Sequence, residues 1–379
     1  MEKYPKHLII ISALLALAGV LAVLVFYQFP GGGRSESPER KQAELSTAGG
    51  DGEEPQIAEE VDKAVEEELP EKASLVFVGD IMLDRNVYLK ARAKGDYGFA
   101  FKKAGSIFSG ADFPIANLEG PITDNKSVSL EKDRMVFTFS PEYLPVLKKY
   151  FSAFSLANNH TLNFGQKGLA TSRQYLEESG MEYFGDPSND EENLSTVIEK
   201  NGFKIGLAGY HSLYRDEPEK IVREIEKLRP NCDLVVIFPH WGIEYARKPS
   251  KTQANDARKF IDAGADLIIG THPHVIQTVE VYKGKYVFYS LGNFIFDQYF
   301  SKETMEGLAI RLDLIRTGGE LKMYYRILPV TISKESQAEL AGEERRRETL
   351  DWLAANSEVS ETVREEIKTG ALKGELSVN

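Results

Sequence analysis

The sequence predicts a layered α/β domain of mixed β-sheets over about residues 73–333. Short apolar runs alternate with amphipathic helical segments through most of this region, which is typical of sheets flanked by helices. Turns containing Gly or Asn at 201–202, 283–284 and 317–319 each separate two strand-like runs, which indicates three hairpins. The strands therefore form mixed rather than purely parallel sheets, and no internal repeat is visible.

Apolar runs bounded by Gly, Pro, Asn or Asp predict the strands. They lie at 74–78, 112–117, 151–157, 182–184, 196–199, 204–209, 233–238, 265–269, 275–281, 286–289, 309–315 and 321–327. Apolar residues at helical spacing predict the helices, one of which has Pro141 near its start. They lie at 86–94, 99–108, 141–150, 168–179, 217–228 and 252–263.

The N-terminal region predicts a membrane anchor. After a short tail at 1–7, residues 8–27 contain no charged residue and only Ser12 as a polar one, the length that a helix needs to cross a bilayer. No small-residue cleavage site precedes the turn at 30–33, so we expect an uncleaved signal anchor. Basic residues flank the span on both sides, and only the shortness of the tail favours an N-terminus inside.

The segments on either side of the domain are polar. Residues 28–72 are rich in Gly, Ser, Pro, Glu and Gln, a composition that predicts a disordered linker. The acidic run at 59–68 is either a solvated spacer, the favoured interpretation, or a short helix. Residues 334–379 form a charged C-terminal tail, in which 338–355 can form one amphipathic helix.

Composition excludes several classes of function. The chain has 379 residues and a net charge of −12, so we expect no nucleic-acid partner, because phosphate binding needs a basic surface. A single cysteine, Cys232, excludes an internal disulfide framework and a cysteine-rich zinc site. Its position just before an apolar run favours a buried core residue.

Histidines suggest a metal site. Of six histidines, all but His7 lie at turns that follow apolar runs, and His272 and His274 are only two residues apart after the predicted strand at 265–269. Neutral imidazole is a common metal ligand, and ligands bind at the carboxyl ends of strands in α/β folds. A hydrogen-bonded surface pair of histidines is the alternative interpretation.

Other polar residues occupy equivalent positions. They are Asp80, Glu119, Asn159, His160 and His240, each at the end of a short hydrophobic run. Any one of them alone is more typical of a helix cap or a turn, as are the paired Asn158 and Asn159. Together, carboxylate, amide and imidazole donors without thiolate suit a divalent Mn, Fe or Zn ion.

Six motifs carry a resemblance to a known family. They are Gly79-Asp80-Ile81-Met82, Asn117-Leu118-Glu119-Gly120, Ala157-Asn158-Asn159-His160, His240-Trp241-Gly242-Ile243-Glu244-Tyr245, Gly270-Thr271-His272-Pro273-His274 and Tyr289-Ser290-Leu291-Gly292-Asn293-Phe294. In this order, over about residues 74–333, they resemble the CapA, or PgsA, family of poly-γ-glutamate capsule proteins, which is related to the calcineurin-like metallophosphoesterases. The resemblance implies a four-layer α/β/β/α sandwich of the metallophosphoesterase type, preceded by one transmembrane helix, with the domain outside the cytoplasm.

The resemblance also implies roles for individual residues. The metal ligands, for one or two ions, are Asp80, Glu119, Asn159, His240, His272 and His274. His160 matches the catalytic histidine beside the ligating asparagine. Residues expected to support the ligands or to face the substrate are Arg85, Asn117, Asn158, Glu244, Tyr245, Asn293 and Asp297. The sequence departs from the related enzymes at two positions. A histidine ligand is usual where this chain has Met82, and the nearby Asp84 is wrongly spaced to replace that histidine. An aspartate is common where this chain has Asn163.

The sequence is compatible with three functions. The chain is a membrane component of the synthesis, export or anchoring of a poly-γ-glutamate-like polymer, with that anionic polymer and other capsule-synthesis membrane proteins as partners. Alternatively, it is an extracytoplasmic metal-dependent phosphoesterase or other hydrolase. The third function is a non-catalytic polymer-binding module. The first is preferred, and since both polymer and protein are acidic it requires a bridging metal or a local basic patch.

Overall fold

Two mixed β-sheets organise the structure, a computed structural model that describes residues 70–132, 135–214 and 217–375. The strands are β1 (Glu71–Ile81), β2 (Phe113–Leu118), β3 (Ala153–Ser155), β4 (Glu182–Phe184), β5 (Ser195–Lys200), β6 (Phe203–His211), β7 (Leu234–His240), β8 (Leu267–Ile269), β9 (Val279–Tyr282), β10 (Lys285–Phe288), β11 (Asn293–Ile295), β12 (Glu306–Thr317), β13 (Glu320–Ile332), β14 (Ala338–Leu340) and β15 (Ala371–Glu375). Sheet 1 has the order β14-β13-β12-β1-β2-β3-β4, with β11 beside β1 and β15 beside β13; sheet 2 has the order β5-β6-β7-β8-β10-β9.

Helices connect and cover the strands. The α-helices are α1 (Arg85–Lys94), α2 (Ser129–Lys132), α3 (Leu144–Tyr150), α4 (Gly165–Glu178), α5 (Pro218–Leu228), α6 (Lys251–Asp262), α7 (Glu343–Asn356) and α8 (Glu361–Thr369). Short 3-10 turns occupy Phe99–Phe101, Ala104–Ser106, Pro141–Tyr143, Glu191–Asn193, Arg229–Asn231 and Glu303–Met305. The start of α6 shows how sequence fixes a boundary, because Ser250 and Gln253 form a reciprocal capping box there.

The alternation of apolar residues explains how the sheets stack. In β1, Leu75 and Phe77 point into a core between the two sheets, while Val76 points to the opposite face, against α1, α3 and α4. In β7, Phe238 reaches the same central core, and Ile237 packs with α5 and α6. The described residues therefore form helix, sheet, sheet and helix layers. The prediction of an α/β fold with mixed sheets is confirmed.

Some predicted elements differ from the structure. The single helix predicted over residues 99–108 is two separate 3-10 turns, and Gly105, a poor helix former, lies in the second of them. The helix predicted over residues 338–355 begins only at Glu343, because 338–340 pairs with β13 as strand β14. Strand β15 also pairs with β13, so this C-terminal segment contributes two strands to sheet 1.

The parallel strands bring their carboxyl ends to one region. In sheet 1, β1, β2, β3 and β4 run parallel, and in sheet 2, β6, β7 and β8 do so. Gly79 allows β11 to lie close beside β1, since a Cβ there would be 1.8 Å from the carbonyl oxygen of Gly292. The Asp80 N–H donates to that same oxygen at 3.1 Å. The close approach fixes the position of Asp80 at the end of β1.

The predicted anchor at residues 8–27 lies outside the described residues, as does the predicted linker up to residue 69. The linker was predicted to extend to residue 72, but residues 71 and 72 pair with β12 as the start of β1. Within the part of the chain that the structure describes, no helix has the length and apolar character needed to cross a membrane.

Candidate metal centre

A buried group of acids lies at the carboxyl ends of β1 and β2. Asp80 in β1 and Glu119, directly after β2, are both fully buried. The side-chain amide of Asn117 donates to Asp80 Oδ1 at 2.8 Å and lies 3.4 Å from Glu119 Oε2. Burial, and next the charge of Asp80, raise the pKa of Glu119 well above its ordinary value. A cation between the two carboxylates would remove this penalty.

His274 faces both acids. Its Nδ1 lies 3.3 Å from Asp80 Oδ2, and its Nε2 lies 3.5 Å from Glu119 Oε1. Asn293 Oδ1 lies 3.0 Å from Nδ1, and a hydrogen bond from an Nδ1–H to this oxygen leaves the Nε2 lone pair directed at Glu119. The ligand atoms of Asp80, Glu119 and His274 all lie within 4.8 Å of one another. This set is the first ligand cluster.

A second ligand cluster shares His274. One ligand atom each from Glu244, His272 and His274 lies within 4.8 Å of the others. Burial, and next the charge of His274, lower the pKa of His272 to about 3, so that its imidazole is neutral at ordinary pH. The resemblance implied that Glu244 supports the ligands or faces the substrate. In the structure, one of its carboxylate oxygens lies within 4.8 Å of a ring nitrogen of His272 and of His274.

His240 and Asn159 lie beside the second cluster. His240 Nε2 is 2.9 Å from Asn159 Oδ1, and the His240 ring is 4.8 Å from the ring of His272. The Thr271 hydroxyl donates to Pro239 O at 3.3 Å, so its oxygen can accept from His240 Nδ1 at 3.0 Å. In this tautomer two acceptors, His240 Nε2 and Asn159 Oδ1, face each other; in the other tautomer the Thr271 hydroxyl donates to His240 Nδ1 and the Nε2–H donates to Asn159 Oδ1. Two ligands about 2.1 Å from one ion and at right angles are separated by about 3 Å, which is the spacing seen here.

The donor set fits a divalent metal. Among the described residues, Glu119 Oε1 and His272 Nδ1 are buried and have no hydrogen-bond partner. Buried polar atoms normally have partners, and both of these belong to residues of the two ligand clusters. Oxygen and imidazole donors without thiolate are those that Mn, Fe and Zn accept. The six residues predicted as ligands are thus brought to one buried region.

His160 lies at the edge of the first ligand cluster. Its Nε2 is 4.0 Å from Glu119 Oε1, and its Nδ1 is 3.0 Å from Asn163 Oδ1, which also accepts from the Phe137 N–H. Asn163 thus orients the ring as an aspartate would, but without a negative charge. Burial lowers the pKa of His160 to about 4, so the ring is neutral at ordinary pH.

Two residues near Asp80 serve the backbone rather than the metal. Met82 is fully buried, and its sulfur accepts from the Asp84 N–H at 3.1 Å. Asp84 caps α1 by accepting from Arg85 N at 2.7 Å, and it also accepts from Ser129 Oγ and Thr138 N. Neither side chain is therefore available as the ligand that the family resemblance leads us to expect two residues after Asp80.

The remaining predicted residues surround the clusters. Asn158 holds the turn, since its Nδ2 donates to Asn117 Oδ1 and Leu118 O and its Oδ1 accepts from Thr161 Oγ1. Tyr245, with φ 66°, packs 6.3 Å from the His274 ring. Arg85, at the start of α1, forms an ion pair with the buried Asp297.

His211 was not predicted as a site residue, yet it lies beside the clusters. It is paired with His240 in the register of β6 and β7, and the two rings are 6.0 Å apart. Its Nδ1 is 2.7 Å from Pro187 O, and its buried Nε2 has no hydrogen-bond partner among the residues described. The available signal was its place at the end of a run that becomes the neighbouring parallel strand.

Comparison with known proteins identifies the family. The family model described as bacterial capsule synthesis protein PGA_cap matches residues 74–298, more than half of the chain. The chain belongs to this family. The segment carrying both ligand clusters lies inside the match, and the family predicted from the six motifs is confirmed.

Individual relatives agree with this assignment. A capsule biosynthesis protein CapA from Bacillus anthracis is 31% identical over 254 residues, covering 61% of this chain and 62% of that protein. The chain thus spans about three fifths of that relative's length. A PGA biosynthesis protein CapA from Bacillus subtilis is 29% identical over 297 residues, covering 73% of this chain and 76% of that protein. Among solved structures, a phosphatase from Mycoplasma pneumoniae is similar at 16% identity and a TM-score of 0.40, over 71% of this chain and 92% of that chain.

Two substitutions distinguish a metal ligand, His240, from an acid that only stabilises the fold, Asp84. We expect His240→Ala to abolish metal uptake, because it removes a buried nitrogen that faces Asn159. We expect Asp84→Ala to retain full metal occupancy but to lower the free energy of unfolding by about 3 kcal/mol, because three donors lose their acceptor. Metal analysis of both purified variants and denaturant unfolding check this. Full occupancy in His240→Ala would remove His240 from the ligands, and metal loss in Asp84→Ala would add Asp84.

Proposed function

We propose that this protein is a membrane-anchored, extracytoplasmic component of the synthesis, export or anchoring of a poly-γ-glutamate-like capsule polymer. The proposal includes a divalent metal, held at the carboxyl ends of the strands, that engages the polymer. One observation carries it: within the segment that matches the capsule synthesis family, Asp80, Glu119 and His274 present buried ligand atoms within 4.8 Å of one another. The names of the two Bacillus relatives, for capsule and PGA biosynthesis, support the polymer.

Electrostatics supports a role for the metal in binding. The protein carries a net charge of −12, so a polyanion is repelled unless a local positive charge attracts it. A divalent ion held by Asp80, Glu119 and His274 would neutralise the two buried carboxylates and could bind a carboxylate of the polymer directly as a further ligand. As a Lewis acid it would also polarise a carbonyl or phosphoryl oxygen of the bound group. Asn117 keeps the two carboxylates in place through its side-chain amide.

Hydrolysis is the second candidate function. Two ligand clusters lie next to each other, and His160 Nε2 lies 4.0 Å from Glu119 Oε1; His274 belongs to both clusters but has one free lone pair, so it can bind one ion only. Both features support a four-layer metallophosphoesterase type of site acting on a phosphodiester or other ester. Met82 and Asn163 argue against full activity, because the first provides no ligand and the second gives His160 no anionic partner. The polymer role therefore remains our preferred proposal.

Metal removal distinguishes these functions. We expect the full-length chain loaded with Mn to bind poly-γ-glutamate, and chelation to reduce that binding about tenfold or more, because a polymer carboxylate loses its bond to the ion. Binding to the immobilised polymer is measured beside hydrolysis of a chromogenic phosphodiester. Turnover of the ester without polymer binding would favour the hydrolase. Equal polymer binding with and without metal would favour a non-catalytic module and contradict the proposed role of the ion.

Membrane anchoring is a separate part of the proposal. The uncharged run at residues 8–27 supports a single span with the N-terminus inside and the domain outside, next to other capsule-synthesis membrane proteins. We expect a reporter enzyme that is active only outside the cytoplasm to be active when fused to the C-terminus. Insertion of two arginines into the run is expected to abolish reporter activity and release the protein from the membrane fraction. A reporter active only inside would reverse the proposed orientation.

A further inference from the structure

Arg85 has an unusual conformation at the start of α1. Its φ of 50° lies in the left-handed region, which long side chains rarely occupy and which persists only where the surroundings hold it. Asp84 Oδ1 accepts from the Arg85 N–H at 2.7 Å, and the following residue, Asn86, donates from N and Nδ2 to Asp297 at 3.1 and 3.0 Å. Contacts on both sides therefore hold the strained backbone.

The Arg85 guanidinium lies between two aromatic rings. Its central carbon is 5.4 Å from the Phe137 ring and 5.8 Å from the Phe296 ring. The same rings border the metal centre, since Phe137 lies 4.2 Å from His160 and Phe296 lies 4.9 Å from His274. Phe137 therefore contacts both the Arg85 guanidinium and His160, and Phe296 contacts both the guanidinium and His274. The charge of Arg85 adds to the effect of burial in lowering the pKa of His160.

Asp297 orients the guanidinium but does not use all of its donors. Arg85 Nε lies 3.0 and 3.2 Å from the two oxygens of the buried Asp297 carboxylate, and one terminal nitrogen also pairs with it. The other terminal nitrogen lies 3.3 Å from the sulfur of Met135, a weak acceptor. An arginine has five N–H groups, so two remain without an acceptor among the residues described. The side chain is 21% exposed, so these donors can reach a ligand.

The side chains around Arg85 and the metal centre include exposed apolar and aromatic groups beside the exposed carboxylate of Glu244. Met135, Tyr245 and Phe300 are large, exposed side chains. Tyr245 connects these groups to the metal centre, because its ring lies 5.3 Å from Phe300 and 6.3 Å from His274. A fixed cation next to apolar side chains matches an anionic group carried on a hydrocarbon stem. The repeating carboxylates and methylene groups of a γ-linked glutamate chain have this chemistry.

We propose that Arg85, held by Asp297, binds an oxyanion of the substrate next to the metal ligands and selects for a carboxylate-bearing chain. This assignment rests on the proposed polymer function and names the group that the site recognises. The planar guanidinium fork suits a carboxylate or a phosphate, and the proposed function favours the carboxylate. The metal and Arg85 then contact neighbouring parts of one bound anion. Asp297 is a positioning residue in this arrangement.

Substitutions that change the charge and the shape of this side chain test the assignment. Using the full-length chain loaded with Mn, the dissociation constants for a γ-linked glutamate oligomer and for inorganic phosphate are measured for wild type, Arg85→Met and Arg85→Lys. Arg92→Met, which removes an exposed charge from the same helix, is the matched control. Arg85→Met leaves the buried Asp297 without its cationic partner, whereas Arg85→Lys keeps a cation beside it. Melting temperatures show whether each variant folds.

The expected result is a loss of roughly tenfold to a hundredfold in oligomer affinity for Arg85→Met, because charge-assisted hydrogen bonds are lost. Arg85→Lys is expected to lose part of the affinity, Arg92→Met none, and all variants to keep the wild-type Mn content. Dependence on Arg85 for phosphate alone would support the oxyanion subsite while contradicting the polymer function. The assignment is overturned if Arg85→Met and Arg85→Lys bind both probes as Arg92→Met does, or if wild type binds neither.

Discussion

Two carboxylates buried next to each other set the constraint on which the rest of this site depends. Asp80 and Glu119 are removed from solvent, and the Asn117 amide between them offers only a neutral donor. Burial of like charges is costly unless one acid is protonated or a cation lies between them. The raised pKa of Glu119 is the direct expression of that cost. Their joint burial is therefore accounted for either by a protonated Glu119 or by a cation bound between the two carboxyl groups.

The surrounding scaffold holds the donors at a local conformational cost. His272 and His274 both have positive φ, 94° and 58°, which imidazole side chains rarely adopt. The loop that carries them starts at Gly270, where a Cβ would lie 2.0 Å from the carbonyl oxygen of Tyr289. Strained backbone of this kind persists where packing on all sides holds it, and it is common at functional sites. Here it turns two imidazoles toward the same buried acids.

Much of the site could be predicted from the sequence because strand ends in parallel sheets converge. This rule alone brought Asp80, Glu119, His240 and His272 into one candidate site, and the six motifs gave the family. Polar residues that follow apolar runs are visible in the sequence. The fold class was predicted from the alternation of those apolar runs with helical segments. The metal-ligand roles themselves remain predictions.

Other features depend on contacts that a linear sequence does not contain. Glu244 reaches His272 only because the loop after β7 folds back, with the Tyr245 N–H donating to Pro273 O. Asn158 likewise holds its turn through Asn117, which is distant in the chain. That His211 Nε2 is buried without a hydrogen-bond partner among the described residues also follows only from the folded structure. The segment predicted as one helix over residues 99–108 forms two 3-10 turns, and Gly105 weakens the local helical preference there.

We propose that a cation lies between the side chains of Asp80, Glu119 and His274. Anomalous diffraction from crystals of the protein grown with Mn tests it most directly. The account predicts an anomalous peak within bonding distance, about 2.2 Å, of oxygen or nitrogen atoms of Asp80, Glu119 and His274. Well-ordered density for these side chains with no anomalous peak between them, at saturating Mn, would contradict it.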